Sequence, residues 1–254
     1  GLALAAKAAK INGVYSAMAL LDLDTTKAKK YTDTKSVKEE SGYTSPFCYP
    51  LWPCDRVGEY ILAKSAVAGA MIQYMASDNE DVPNQSPSNH LLGVGGQCLE
   101  DGTEVYLDQD QANTVNSYGV TTAINQNGYR LWGNYTGAYP ASSDAKDIWF
   151  AVRRMFSWQG NNFIQTYFDE VDDPMNNVLV QSVVDSENIR CSAYAPKYWA
   201  GASIEYKSDD NPKTAILAGT MKFRQHIAPY TPAQEIVDII DYDTDTLAAA
   251  VGGN

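Results

Sequence analysis

Three prolines within eight residues, Pro46, Pro50 and Pro53, constrain this chain more than any other feature of its sequence. Each lacks a backbone N–H and fixes φ, and each pushes the residue before it out of the helical region. The segment Ser45-Pro46-Phe47-Cys48-Tyr49-Pro50-Leu51-Trp52-Pro53 is therefore an extended crossing, with apolar side chains between the prolines to bury it. What flanks it must accommodate such a crossing. Upstream, Leu2, Leu4, Ala5, Ala8 and Ala9 read as a helix that Gly13 can end, and Met18-Ala19-Leu20-Leu21 reads as a buried strand closed by Asp22 and Asp24.

Downstream the signals mix. Charged helix candidates lie at Thr25 to Tyr31 and Thr34 to Glu40, and small apolar residues from Gly58 to Ala76 suit a closely packed helix. Asp78 to Asn89, with Pro83 and Pro87, is an exposed loop. A turn at Glu100 to Glu104, a helix at Asp108 to Tyr118 and strand-like residues from Thr121 through Trp132 follow. Trp149 to Phe156 reads as strand-like around Arg153 and Arg154, Phe163 to Glu170 as helical, and Pro174 as the restart of a helix from Met175 to about Cys191. Ala202 to Tyr206 and Thr220 to Ile227 alternate as strands of one sheet, and Ala233 to Tyr242 alternates as well. The expected class is α+β, a β-sheet flanked by helices with a C-terminal strand arm. No internal repeat or low-complexity tract interrupts it.

The 254 residues suffice for a continuous core, with one compact body and appendages expected. A net charge of −12 sets the chain against phosphate backbones and anionic headgroups, so neither nucleic acid nor membrane is an expected partner. No stretch approaches 18 apolar residues and the Ala-rich opening lacks a basic n-region, which reads as a soluble chain made in the cytoplasm. The chain starts with Gly inside a helix pattern, and an N-terminal portion is expected to be missing. Seventeen Tyr and five Trp suit both an ordinary core and the buried centre of an interface.

Chemistry is sparse. Cys48, Cys54, Cys98 and Cys191 have neither zinc nor redox spacing and read as reduced thiols. His90 and His226 sit in no triad or metal pattern and read as structural or surface residues. Gly93-Val94-Gly95-Gly96 lacks the third glycine of a dinucleotide fingerprint and reads as a turn. The acidic pairs Glu39-Glu40, Asp172-Asp173 and Asp209-Asp210 mark solvated turns; a carboxylate-dependent hydrolase would need two of these groups to converge across a tyrosine-lined cleft. The sequon Asn134-Tyr135-Thr136 has no secretory context. No catalytic residue, metal or cofactor is expected.

Ordered blocks carry more information: Gly128-Tyr129-Arg130-Leu131-Trp132-Gly133-Asn134, then Ala151-Val152-Arg153-Arg154-Met155-Phe156, then Val171-Asp172-Asp173-Pro174. With Ser65 to Met71, Ser86 to Asn89, Leu92 to Val94 and Pro229 to Tyr242, they resemble the conserved C-terminal part of contractile-tail sheath proteins over nearly the whole chain. Read physically, Tyr129, Leu131 and Trp132 fill a core. Arg130, Arg153 and Arg154 are forks for Asp169, Glu170, Asp172 or Asp173, within one subunit or across two. Tyr135 stands where the family often has arginine.

The resemblance implies a structural subunit that polymerises as stacked six-fold rings around a tail tube, contracts, and meets tube, baseplate and terminator proteins in a virion tail or phage-tail-like particle assembled in the bacterial cytoplasm. A baseplate or tube component is the neighbouring alternative. It implies residues 1–96 as part of a middle domain, 97–228 as the conserved domain and 229–254 as an arm. Ile236, Val237, Ile239, Ile240 and Tyr242 would pair with a neighbour as a strand. A helix within Glu187 to Tyr198 would face the tube, with Arg190 and Lys197 as the contacting charges.

Overall fold

A computed structural model describes residues 1–252. The proline segment is its pivot. Cys48–Leu51 forms β2, buried on both faces, and pairs in parallel with β1 (Ala19–Asp22). Pro50 has no N–H to give, but its carbonyl accepts from Thr121 N at 2.8 Å, and Trp52 N donates to Thr121 O at 2.9 Å. β2 thereby runs on into the hairpin of β6 (Thr122–Asn125) and β7 (Tyr129–Trp132), which turns at Asn127 and Gly128, both at positive φ. The outer edge of β7 is taken by residues 89–92: Asn89 N and Leu92 N donate to the carbonyls of Leu131 and Tyr129, and Leu131 N to His90 O. The result is a mixed sheet in the order β1, β2, β6, β7 and the 89–92 segment.

Side chains alternate across it. Leu20, Tyr49, Leu51 and Leu131 face Ala68 and Ile72 of α3 (Lys64–Asp78) and Phe150 of α6 (Phe150–Thr166). Ala19, Leu21 and Cys48 face Ala5 and Ala8 of α1 (Leu2–Ala9). Another cluster joins Leu23, Val37, Trp52, Leu99, Val115 and Val120, bringing in α2 (Thr34–Ser41) and α4 (Gln109–Ser117). Residues from both sides of position 96 thus share one core. A small antiparallel sheet, β4 (Tyr60–Leu62), β3 (Cys54–Val57) and β5 (Gly96–Cys98), adjoins it.

The C-terminal half is a second layer. β8 (Trp199–Glu205) and β9 (Arg224–Pro229) pair antiparallel, as their alternation predicts, and lie with α7 (Asn177–Tyr194) on α6 around Trp199, Met155, Cys191 and Tyr198. Short helices α5 (Ala145–Ile148), α8 (Lys213–Leu217) and α9 (Thr244–Ala250) complete the α+β fold.

Several elements differ from expectation. Trp149 to Phe156 is the start of α6, not a strand, because Phe150, Ala151, Met155 and Trp158 recur with helical spacing beyond that short window. α6 absorbs Phe163 to Thr166, leaving one 3₁₀ turn, Phe168–Glu170. Gly58, at φ +61, turns the β3–β4 hairpin, so the helix expected from Gly58 begins only at Lys64. Thr25 to Tyr31 is a run of turns: the Asp24 side chain accepts from Thr26 N and Oγ1, and its carbonyl from Lys27 and Ala28. α7 is started by Asn176, whose side chain accepts from Leu179 N at 2.9 Å, rather than by Pro174.

Candidate assembly interface

The glycine-bounded block forms β7, between β6 and the 89–92 segment. Tyr129 and Leu131 are buried, whereas Arg130 donates from Nε to Gln126 O at 3.0 Å and from Nη1 to Asn89 O at 2.7 Å. Its fork closes the hairpin on backbone carbonyls and takes no carboxylate. Trp132 gives its indole N–H to Asn113 Oδ1 at 2.9 Å. Gly133, at φ +152, lies so close to Thr121 Oγ1 that a Cβ would stand 2.5 Å away. Asn134 is buried, its carbonyl capping the start of α6 through Phe150 N at 2.8 Å and its side chain held by Ser86.

The paired arginines separate. Arg153 reaches Asp147 at 3.1 Å and lies 4.3 Å over the Phe47 ring. Arg154 lies over Phe150, 5.5 Å from its centroid, and burial pushes its guanidinium down to about 10. Within the chain neither pairs with Asp169, Glu170, Asp172 or Asp173, which corrects the intrasubunit form of the expected forks: the turn at 168–173, with Asp172 at φ +74, leaves these residues exposed. Asp210 is held by Arg224 at 2.6 and 2.9 Å, and Glu205 bridges Lys207 and His226. None of the described cavities is lined by two carboxylates, and among the described residues no group of metal ligands assembles and no helix is long and apolar enough to cross a membrane.

Arg190 is half-buried and paired within the chain. Its guanidinium forks onto Glu187, fully buried one turn earlier, and also reaches Gln159 Oε1 at 2.9 Å. Lys197 is exposed and paired with Glu80 at 2.8 Å, close to the Tyr198 ring. The outer face of α7 instead presents Val178 and Ile189, 78% and 73% exposed.

The arm leaves the body at a defined place. Tyr230 donates to Pro196 O at 3.0 Å, and Tyr135 Oη donates to Gln234 Oε1 at 2.6 Å. Tyr135 is itself fixed in a stack, its ring 3.8 Å from Tyr139 and 4.9 Å from Trp149. Sequence reasoning saw Tyr135 only as a departure from arginine, since an i to i+99 contact has no local signal. Beyond Gln234, residues 235–243 are in neither helix nor strand, and Ile236, Val237, Ile239, Ile240 and Tyr242 are 90%, 68%, 80%, 87% and 75% exposed. Five such apolar side chains in succession are a large patch for one chain to leave uncovered. The Tyr135→Phe variant keeps the stack and removes only the hydrogen bond, worth about 1 kcal/mol. Faster amide exchange at Ala233 to Ile236 is expected, with the melting temperature almost unchanged.

Comparison with known proteins agrees with this surface-dominated reading. No family model matches the chain. It is similar to the major tail sheath protein of Serratia phage KSP20, 27% identical over 197 residues covering 74% of this chain and 48% of the relative. It is similar also to the tail sheath protein of Escherichia phage P2, 22% identical over 215 residues, 80% of this chain and 52% of the relative. The chain spans about half the length of these curated relatives. Among solved structures, the sheath complex of an extracellular contractile injection system in the contracted state superposes with a TM-score of 0.75 at 17% identity, over 90% of this chain and 65% of the other. The contracted helical sheath of the anti-feeding prophage gives 0.72 at 19%, over 95% and 65%. Both curated relatives are named as tail sheath proteins. In sequence this chain is similar to phage tail sheath proteins, and in fold it is similar to the sheaths of contractile injection systems.

Proposed function

We propose that the chain is a structural sheath subunit that polymerises as stacked six-fold rings around a tail tube in a virion or phage-tail-like particle, and shortens as a lattice to drive the tube outward. The observation that carries this reading is the arm: an extended, apolar, acidic segment anchored at Tyr230 and Gln234 and free of any partner strand among the described residues. β8 and β9 form a two-stranded sheet, so each has an edge with no strand partner among the described residues. An extended segment of a neighbour adds to such an edge by backbone hydrogen bonds. A contact passed from copy to copy in this way is heterologous and generates rings or helices. It also tethers bodies that rotate and repack during shortening.

The surface of α7 carrying Val178 and Ile189, with Lys197 beyond its end, is the face we assign to the tube. Baseplate and terminator proteins would meet the open ends of the same lattice.

Negative-stain electron microscopy of the full chain against a version ending before Pro229 tests the arm. Tubular polymers from the first and none from the second are expected. Polymers from both would remove the arm's role, and none from either would overturn the sheath reading.

A further inference from the structure

Lys38, on α2, is 4% exposed and touches no carboxylate. Its ammonium donates to two backbone carbonyls, Tyr118 O at 2.8 Å and Tyr139 O. An ammonium has three N–H groups, and the third has no acceptor among the described residues. Two loops are drawn tightly round it: at Gly119, φ +71, a Cβ would stand 2.3 Å from Tyr139 O and 2.6 Å from Lys38 Nζ. The titratable groups that act on the amine are the Cys48 thiol of β2, whose own pKa burial raises, and Glu39, on its own helix, with Lys35 also lining the same cavity. Without a counter-ion, burial pulls the amine down to about 8.

A cavity of 190 Å³ opens against this amine, walled by Thr44, Tyr118, Tyr139, Pro140 and Ala141, with Lys35 and Glu39 beside it. The volume is that of about six waters at ~30 Å³ each, enough for a carboxylate on a short stem. Lys35 and Lys38 against the single carboxylate of Glu39 leave the lining net positive among otherwise largely aromatic and aliphatic walls, so it selects an anion. A carboxylate arriving there gains a charge-assisted hydrogen bond in a site of low dielectric. Copies of this chain carry 31 carboxylates against 19 Lys and Arg, so a neighbouring copy is the abundant source of such a group.

We propose that the Lys38 cavity receives a carboxylate side chain from a second copy of the chain, which makes α2 and residues 139–141 part of the subunit contact. The proposal rests on the reading of the chain as a self-assembling subunit. Binding would raise the Lys38 pKa, so assembly takes up a proton near pH 8. The critical concentration for polymerisation should therefore rise with pH above 8, by up to about tenfold per unit.

The test uses the full chain. Carbodiimide coupling of polymers made from mixed ¹⁴N and ¹⁵N copies should give a mixed-isotope peptide joining Lys38 to an aspartate or glutamate. Lys38→Met should flatten the pH dependence of the critical concentration. Because that variant also strips two carbonyls of their donor, Thr44→Trp, which blocks the exposed mouth and leaves Lys38 intact, is the second variant, and it should raise the critical concentration at least tenfold. Polymers that form in both variants with the wild-type pH profile, and no mixed-isotope Lys38 peptide, would overturn the cavity's role and leave the sheath reading standing. Absence of polymers from the wild-type chain would instead remove that reading and the proposal with it.

Discussion

Lys64→Ala is expected to lower the melting temperature by roughly 10 °C, and Asp55→Ala by a similar amount. Both side chains are fully buried and ion-paired to each other. A lysine in the first turn of a helix opposes the helix dipole, so Lys64 is not there for the benefit of α3. It is there because β3 delivers Asp55 to the same place, and the next residue, Ser65, is bound by Asp22 at the end of β1, its N–H at 2.9 Å. Two consecutive residues thus tie the start of α3 to both sheets. Burial pushes the Asp55 carboxyl up while Lys64 opposes the shift, and one carboxylate oxygen has no partner. The pair is therefore only just compensated. Removing either member strands the other as a buried charge, at about 3–5 kcal/mol, and a chain of this size loses roughly 2–4 °C per kcal/mol. The double variant Lys64→Met, Asp55→Leu should recover most of the loss, because apolar side chains of similar volume need no partner. Thermal unfolding followed by circular dichroism measures all three. Single variants that melt with the wild type would mean that water reaches the pair.

Much of this fold can be read from the chain because its strongest signals are local. Prolines at 46, 50 and 53 forced an extended segment, and that segment is the fully buried β2. The Asp108 cap and its reciprocal partner Gln111 start α4 where the pattern places it, and the alternation of 202–206 with 220–227 appears as β8 against β9. The failures share a cause as well. Trp149 to Phe156 has the composition of a strand, and only the continuation to Trp158 and Phe163 reveals the helical period. At Thr25 one aspartate side chain outcompetes the helix by binding Thr26, a contest that helical periodicity does not register. Of the interface, the apolar content of the arm was visible, but the strand read from its alternation is absent in the single chain, where 235–243 are in neither helix nor strand, and its anchors had no local signal. Tyr135 to Gln234 and Lys38 to Tyr139 are set by how distant segments pack, and within the chain Arg153 binds Asp147, six residues before it, rather than a carboxylate of 169–173.

Arg190 is the sharpest of those cases, and substituting it separates two roles that sequence could not. A charge whose main business is contact with a partner protein can be removed from the free subunit with little effect on stability. Arg190 is expected to behave otherwise: Arg190→Met should destabilise the isolated chain by about 3–5 kcal/mol, because it leaves the fully buried Glu187 without its cation. Gln159 Nε2 at 2.6 Å and the Tyr167 hydroxyl at 3.3 Å would remain on that carboxylate, and neither carries charge. Adding Glu187→Gln to Arg190→Met removes the stranded charge and should restore part of the loss. Arg190→Lys should fall between, since a single ammonium cannot reproduce the fork that spans Glu187 and Gln159. Lys197→Met is the counterpart. That lysine is 61% exposed in its side chain and its pair with Glu80 stands in solvent, so the melting temperature should move by less than about 1–2 °C. Loss of tube binding in Lys197→Met with an unchanged melting temperature would mark it as a contact residue. An Arg190→Met variant that melts like the wild type would return Arg190 to the surface role.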